Sequence, residues 1–394
     1  MRTSATTQLM RRLNSSAVLD LIREQSPIAQ SQISDQLNMS IPTVVRISEE
    51  LIEKDLVRWS GDTQSSGGRP RRLLEFNYRG YAVIGLDLGG TRLFGTIANL
   101  SGQIQAERYM SWQENDPEAC LDQVNRLIGE LLSTPRPDDQ KVLGIGVGAP
   151  GVTYYEQGIV SWAPSLGWRN LPLRELISQR YQLPVIVEND VNLVALGEYS
   201  FGAGKGASSL ACITVGTGIG AGIVFDRLIY RGHNHSAGEI GYLPIDLNCL
   251  GQKYESFGAL ESLASGLGIE KRAATIFKDS GWSIPAEGLD AENIFQAGRE
   301  GKEWAQKLVD ETIDYLSMAI AAISITIDPE IIVLGGGVTK SADLLIPRIL
   351  DRLDGVIPVR PNLVASDLGS RAAVMGAISL VLDLTTERTV LGSI

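Results

Sequence analysis

Three glycine-rich turns hold the residues best able to handle a phosphate, and each follows directly on an apolar run. Residues 81–86 lead into Asp87-Leu88-Gly89-Gly90-Thr91, residues 209–215 into Gly216-Thr217-Gly218-Ile219-Gly220, and residues 331–334 into Gly335-Gly336-Gly337. A β-hairpin whose tip reads Asp-x-Gly-x-Thr can aim backbone N–H groups and a hydroxyl at phosphate oxygens, with the aspartate beside a metal. Any one of these turns is equally ordinary tight-turn chemistry, because glycine reaches backbone angles that other residues avoid. Three of them fit two phosphate loops and an adenosine loop, built on Asp87, Gly89, Thr91, Gly216, Thr217, Gly218 and Gly336.

A different chemistry is offered at the start of the chain. The net charge of −11 speaks against nucleic acid, but it is unevenly spread: residues 1–79 hold 11 Lys and Arg against 9 Asp and Glu. That head is therefore about +2 and the remainder about −13, so contact with DNA is confined to the head. Ser40 is a good N-cap, and Pro42 is tolerated in the first turn of the helix that follows, where its missing N–H has no partner to lose. Val44, Ile47 and Leu51 form the inward stripe of that helix, which turns Thr43 and Arg46 outward. A preceding short helix from Gln30 or Ser31 and the turn Asn38-Met39-Ser40 complete a helix-turn-helix, in which early residues of the second helix reach base edges. The spacing alone suits a three-helix packing unit equally well. Two short strands, 56–59 and 72–76, then flank a polar loop ending Gly67-Gly68-Arg69-Pro70-Arg71. Arginine between glycine and proline suits a wing inserted into a narrow minor groove, with a solvated linker as the alternative.

The elements that position these residues follow from periodicity and punctuation. In the head, Asn14 and Ser15 offer an N-cap for a helix carrying Val18, Leu21 and Ile22 as far as Glu24, and Ser26-Pro27 breaks it. After Gly80 the texture changes to buried strands and glycine turns. A second strand over 92–100 closes a hairpin at Ser101-Gly102. Strand and helix then alternate: strand 142–147, helix 171–179, strand 184–187, helix 191–199, strands 209–215 and 221–225, helix 304–327 and strand 331–334. Such alternation implies an α/β fold of two lobes around a cleft. A length of 394 residues implies two or three domains. No apolar run is long enough to span a bilayer, and residues 1–16 lack the apolar stretch of a secretory signal. Three unpaired cysteines argue for a reducing cytoplasm.

From about Arg12 to Gly376 the chain resembles the ROK family (repressors, open reading frames, sugar kinases) in its transcription-factor branch. The matching words are Gly67-Gly68-Arg69-Pro70, Asp87-Leu88-Gly89-Gly90-Thr91, Gly146-Val147-Gly148-Ala149-Pro150-Gly151 and Glu188-Asn189-Asp190-Val191-Asn192. They continue with Gly216-Thr217-Gly218-Ile219-Gly220 and Ala237-Gly238-Glu239-Ile240-Gly241. The resemblance implies a winged helix-turn-helix over residues 1–79 and a two-lobed, actin-like or ribonuclease H-like sugar-kinase domain over 80–394, with its cleft near 188–190 and 239–261. It further implies that Asn189, Asp190, Glu239 and Glu261 grip the hydroxyls of a sugar, to which paired carboxylate acceptors are suited. An N-cap role for Asp190 is the alternative. DNA would be read by Ser40, Pro42, Thr43, Arg46, Arg69 and Arg71.

The chain departs from the family at one place. A structural zinc is commonly held there by a His and the word Cys-x-Cys-Gly-x-x-Gly-Cys-x-Glu. Aligned back from Glu261, the cysteine positions are Gln252, Tyr254 and Ala259, and the His position is Tyr242. With all four ligands replaced, the zinc site is expected to be lost and no metal to be bound. Tyr242 then lines the sugar pocket in place of the His, Tyr254 and Phe257 hold the segment by packing, and Cys249 serves as a small buried residue. His233 and His235 read as solvated or hydrogen-bonded histidines.

The resemblance implies a sugar-responsive repressor of carbohydrate-metabolism genes. It would be cytoplasmic, homodimeric with dimers able to pair into tetramers, bound to operator DNA, free of the membrane and in need of no cofactor. It would not be an enzyme. One alternative is an ATP-dependent sugar kinase with a regulatory head, Asp190 acting as base and Mg-ATP lying on Asp87, Gly89, Thr91 and residues 216–220. Another is a sensor whose effector is a protein of sugar transport.

Overall fold

The computed structural model of the chain describes residues 2–64, 71–90, 92–112, 116–137, 140–254 and 258–391. The head is built from α1 (Arg2–Gln25), β1 (Ile28–Ala29), α2 (Gln30–Leu37), α3 (Ile41–Glu53), β2 (Val57–Gln64) and β3 (Arg71–Phe76), its strands ordered β1-β3-β2. α3 begins as its residues dictate: the Ser40 backbone is extended, its Oγ accepts from the Thr43 N–H, and Pro42 sits in the first turn. Asn38 takes the left-handed conformation (φ 51°) that ends α2. Val44, Ile47 and Leu51 are fully buried. The first helix differs from expectation. It does not start at Asn14 and Ser15 but runs through them from Arg2. Residues 2–13 contain neither glycine nor proline to stop it, and Ser or Asn inside a helix costs only tenths of a kcal/mol, ~0.7 at most.

The body carries one sheet topology twice. The first lobe contains β4 (Tyr81–Leu88), β5 (Arg92–Asn99), β6 (Ile104–Ser111), α4 (Pro117–Leu132) and β7 (Lys141–Ala149). A small antiparallel sheet of β8 (Val152–Tyr154), β9 (Ile159–Ala163) and β10 (Trp168–Leu171) follows, then α5 (Leu173–Tyr181) and β11 (Val185–Asn189). Helix α6 (Asp190–Phe201) leads to the second lobe, which opens with β12 (Ser209–Val215), β13 (Ile219–Phe225) and β14 (Leu228–Ile229). It continues through α7 (Ala259–Ala264), α8 (Gly266–Ser280), α9 (Ala291–Arg299), α10 (Glu303–Thr326), β15 (Ile331–Gly335), α11 (Ala342–Leu353), β16 (Leu363–Ala365) and α12 (Ala372–Leu391). The sheets are ordered β11-β7-β4-β5-β6 and β14-β13-β12-β15-β16. In each, the first strand pairs antiparallel with the second and parallel with the fourth. The Asp87 turn and the Gly216 turn are thus the same hairpin, once in each lobe.

The lobes and head meet at two crossed helices. α6 packs on β12 and β13 of the second lobe, α12 lies on β4 and β7 of the first, and the two helices cross in close contact. The crossing depends on glycine: a Cβ on Gly197 would stand 2.1 Å from the Ala372 carbonyl oxygen, and one on Gly376 1.8 Å from that of Leu193. α12 also touches α1. Consequently Val18, Ile22, Ile47 and Leu74 of the head share one buried apolar cluster with Val83, Ile378 and Val381 of the body. Among the described residues no helix is long and apolar enough to cross a membrane.

Candidate sugar cleft and DNA-reading surface

The cleft is floored by the ends of two parallel strands. β11 closes on Asn189, which is the N-cap of α6: its Oδ1 accepts from the Asn192 N–H (3.0 Å) and its Nδ2 donates to the Gly151 carbonyl (3.0 Å). The capping role considered for Asp190 therefore falls to Asn189. Asp190 stands in the first helical turn, its Oδ1 accepting from the Val191 N–H (2.9 Å), and a carboxylate has further lone pairs with which to meet a ligand. Asp87 ends the adjacent part of the sheet on β4. Loss of water pushes the Asp190 carboxyl up to about 7, assisted by the Asp87 and Glu239 charges, and pushes that of Asp87 up to about 6 against the pull of Arg92.

The second lobe supplies the opposite wall. Glu261, in the first turn of α7, accepts from the Ile219 N–H (2.9 Å) with Oε1 and from the Gly258 N–H (3.3 Å) with Oε2. It thereby fastens the glycine turn to the pocket. A Cβ on Gly218 would lie 2.1 Å from the Glu261 Oε1, so any larger residue there would have to displace this carboxylate. Glu239 stands exposed at the open side, yet desolvation and then the Glu261 charge raise its pKa. Tyr242, 45% exposed, has its hydroxyl pKa raised by burial and then by the charges of Glu239 and Glu261, so it lies within reach of both. Asp87, Asp190, Glu239, Glu261 and Tyr242 are thus brought to one cleft. The two phosphate-type turns face each other across it, a Cβ on Gly90 falling 3.6 Å from the Thr217 Oγ1. The Gly216 N–H closes its own turn on the Gly218 carbonyl (2.9 Å). Gly336 has φ 84° and leads into the short helix after β15. Gly89 accepts from the Trp112 indole (2.8 Å), and Thr91 lies outside the described residues.

The raised carboxyls carry a pH dependence. Asp190 and Asp87 hold protons in the folded chain that they release at about 3.8 when unperturbed. Their contribution to stability is therefore complete below that value and is lost as pH rises through about 6 and about 7. Sugar hydroxyls donate to ionised carboxylates and favour that form. A bound sugar is therefore expected to raise the melting temperature more at about pH 8 than at about pH 5, whereas equal shifts would remove these carboxylates from the ligand contacts.

One component of the cleft escaped sequence reasoning. Glu188, 1% exposed, accepts from the Asn189 N–H (2.9 Å), the Asn192 Nδ2 (3.0 Å) and the Arg231 Nε (2.7 Å). Arg231 follows β14 of the second lobe and lies on the face of Tyr155 of the first, 3.9 Å from the ring centre. It is a buried ionic link between lobes directly beneath Asn189. A glutamate closing the apolar run 185–187 was the available signal, because a buried carboxylate requires a cation.

The segment that departs from the family is held by its own hydrogen bonds. Asp246 Oδ1 accepts from the N–H groups of Asn248 (2.7 Å) and Cys249 (3.2 Å) and from the Cys249 Sγ (3.6 Å), while the Gln252 Nε2 donates to the Asn248 carbonyl (2.9 Å). Cys249 is half-buried rather than buried, because it serves this turn and not the core. Tyr254 is half-buried, Ala259 is buried in α7, and Phe257 lies outside the described residues. Among the described residues no group of three or more His, Cys, Asp or Glu is placed to hold a metal ion. His235 pairs with Glu156 (3.4 Å) and meets Tyr154 edge-on, and His233 is exposed.

On the head, Pro42 and Arg46 are exposed and the Thr43 hydroxyl is tied to the Ser40 Oγ (2.8 Å). Arg46 is engaged by Glu50 (2.8 Å). Arg69 lies outside the described residues. The Arg71 backbone opens β3, and its side chain is likewise outside them.

A duplicated five-stranded sheet around an acidic cleft, carrying a winged helix-turn-helix, defines a two-lobed sugar-kinase-like regulator. The chain belongs to the ROK family, whose sequence pattern matches residues 83–384, and the MarR family pattern matches residues 5–65. It is similar to the putative xylose repressor of Caldicellulosiruptor sp. (strain Rt8B.4), 30% identical over 389 residues that cover 95% of this chain and 96% of that one. A crystal structure of a ROK family transcriptional regulator, a homologue of the E. coli MLC protein, superposes with a TM-score of 0.83 at 26% identity, covering 97% of this chain and 98% of that one. A ROK family glucokinase from Streptomyces griseus in complex with glucose and AMPPNP superposes with a TM-score of 0.65 at 28% identity, over 76% of this chain and 98% of that one.

Proposed function

We propose that the chain is a sugar-responsive transcriptional repressor in which occupancy of the cleft alters operator affinity. One observation carries this reading: α6 starts at Asp190 in the cleft, crosses α12 at Gly197 and Gly376, and α12 packs against α1 of the head. Sugar gripped by Asn189, Asp190, Glu239, Tyr242 and Glu261 would favour one disposition of the lobes, and α12 would carry that disposition to the reader. The repressor operates in the cytoplasm as a homodimer, its two heads matching a two-fold operator. Asp190→Asn tests the assignment. A sugar at a hundred times its Kd stabilises the native wild type by about 2.7 kcal/mol. The variant should lose that thermal shift and the sugar response while binding DNA as before, and a retained response would remove Asp190 from the pocket.

A second reading is favoured by the facing glycine turns and by an Asp190 carboxyl near 7, a value suited to a general base at neutral pH. On that reading the chain phosphorylates its sugar from ATP, the turns at Gly89 and Gly216–Gly218 receiving the phosphates. ATP consumption over a sugar panel at ordinary enzyme rates would establish it.

A further inference from the structure

The reading helix does not present its arginine freely. Arg46 on α3 donates to the Glu50 Oε1 (2.8 Å) one turn later, and Arg11 on α1 donates to the same oxygen (2.7 Å). Nearby, burial holds the Lys54 ammonium below its ordinary pKa, with Glu50 pulling it up and Arg11 pushing it down in smaller measure. One carboxylate oxygen thus accepts from two guanidiniums carried by two different helices. The arginine side chains are 58% (Arg11) and 49% (Arg46) exposed, and that of Glu50 28%. Exposed pairs of this kind are weak, so a phosphate that offers each guanidinium its own anion can replace Glu50.

We propose that Glu50 is the positioning residue of the DNA-reading surface: it withholds Arg11 and Arg46 from the phosphate backbone until a well-seated duplex draws them away, and so sets discrimination between operator and other DNA. This rests on the regulator reading. A duplex that fails to seat α3 in the major groove leaves both arginines on Glu50, and non-specific binding loses two phosphate contacts. Arg11 widens the footprint beyond the residues of α3, because it adds a cation from α1, outside the two helices of the motif. α1 is also the helix that touches α12, so a shift of the body reaches Arg46 through the oxygen it shares with Arg11.

The test uses the full chain, a duplex selected by the wild type from a random pool, and a shuffled duplex of equal composition, each titrated across salt. Glu50→Gln keeps the shape and removes the charge. It is expected to bind the shuffled duplex about tenfold more tightly, with a log–log salt slope steeper by roughly 0.9 for each arginine released, and to discriminate less. Glu50→Asp keeps the charge and should restore most of the discrimination. Arg11→Gln should make the slope on the selected duplex shallower by about 0.9. A merely structural Glu50 would lower the melting temperature and leave the slope alone. If the wild type discriminates and Glu50→Gln shows the wild-type slope on the shuffled duplex, the proposal is overturned while the regulator reading stands. A wild type that prefers no duplex overturns both.

Discussion

Replacing Gly376 by valine is expected to cost about 4 kcal/mol or more, at the severe end of single substitutions. The first added carbon would lie 1.8 Å from the Leu193 carbonyl oxygen and 3.0 Å from the Gly197 nitrogen, so it meets backbone rather than a side chain that could swing aside. α12 cannot simply retreat. Its other side rests on the first sheet, where a Cβ on Gly85 would already be 2.5 Å from the Val374 carbonyl oxygen. Overpacking a well-packed core, where side chains can still shift, costs about 1–3 kcal/mol, and a vice between two backbones should exceed that. The melting temperature of the full chain should fall by roughly 10 °C, and any surviving folded fraction should bind DNA without responding to sugar. A variant that melts with the wild type would mean that α6 and α12 do not cross at these glycines.

The second large effect is expected at the link between lobes. Arg231→Met leaves Glu188 buried without its cation, a change that costs about 3–5 kcal/mol when a buried pair is broken from one side. Replacing both partners, as Glu188→Gln with Arg231→Met, removes the charge as well as its neutraliser and should recover most of that loss in thermal or urea unfolding. The double variant should still bind sugar more weakly than the wild type. Glu188 also accepts from the Asn189 N–H and the Asn192 Nδ2, and Arg231 adds an ionic tie from this backbone to the second lobe. Additive losses in the two single variants, with no recovery in the double, would show that the pair carries no coupling.

Much of this architecture was legible from local signals. Ser40, Pro42 and the Val44–Ile47–Leu51 stripe specify α3 because capping and amphipathic burial act within one helix. Strand β12 and the turn at Gly216 are legible for the same reason, an apolar run closed by glycine. The start of α1 was not legible. Asn14 and Ser15 look like a cap, but a cap requires the preceding residues to leave the helix, and nothing in residues 2–13 makes them do so. Arg231 was missed because its meaning depends on Glu188, 43 positions earlier on the opposite lobe, and no local pattern reports a pair brought together by the cleft. The hold of Glu50 on Arg46 lies between these cases. The i, i+4 spacing was visible, but the competing Arg11 arrives from a different helix. The duplicated sheet order also stayed hidden, since the lobes repeat a topology and not a sequence.

The coupling of cleft to reader is tested most directly by the affinity of this chain for its selected duplex, measured with and without members of a panel of aldoses and amino sugars. At least one sugar is expected to change that affinity about tenfold, equal to a coupling of about 1.4 kcal/mol, and to stabilise the protein in the absence of DNA as well. If a sugar stabilises the chain yet leaves its grip on the duplex unaltered, cleft and reader are uncoupled, and the route from Asp190 through α6 and α12 to α1 is wrong.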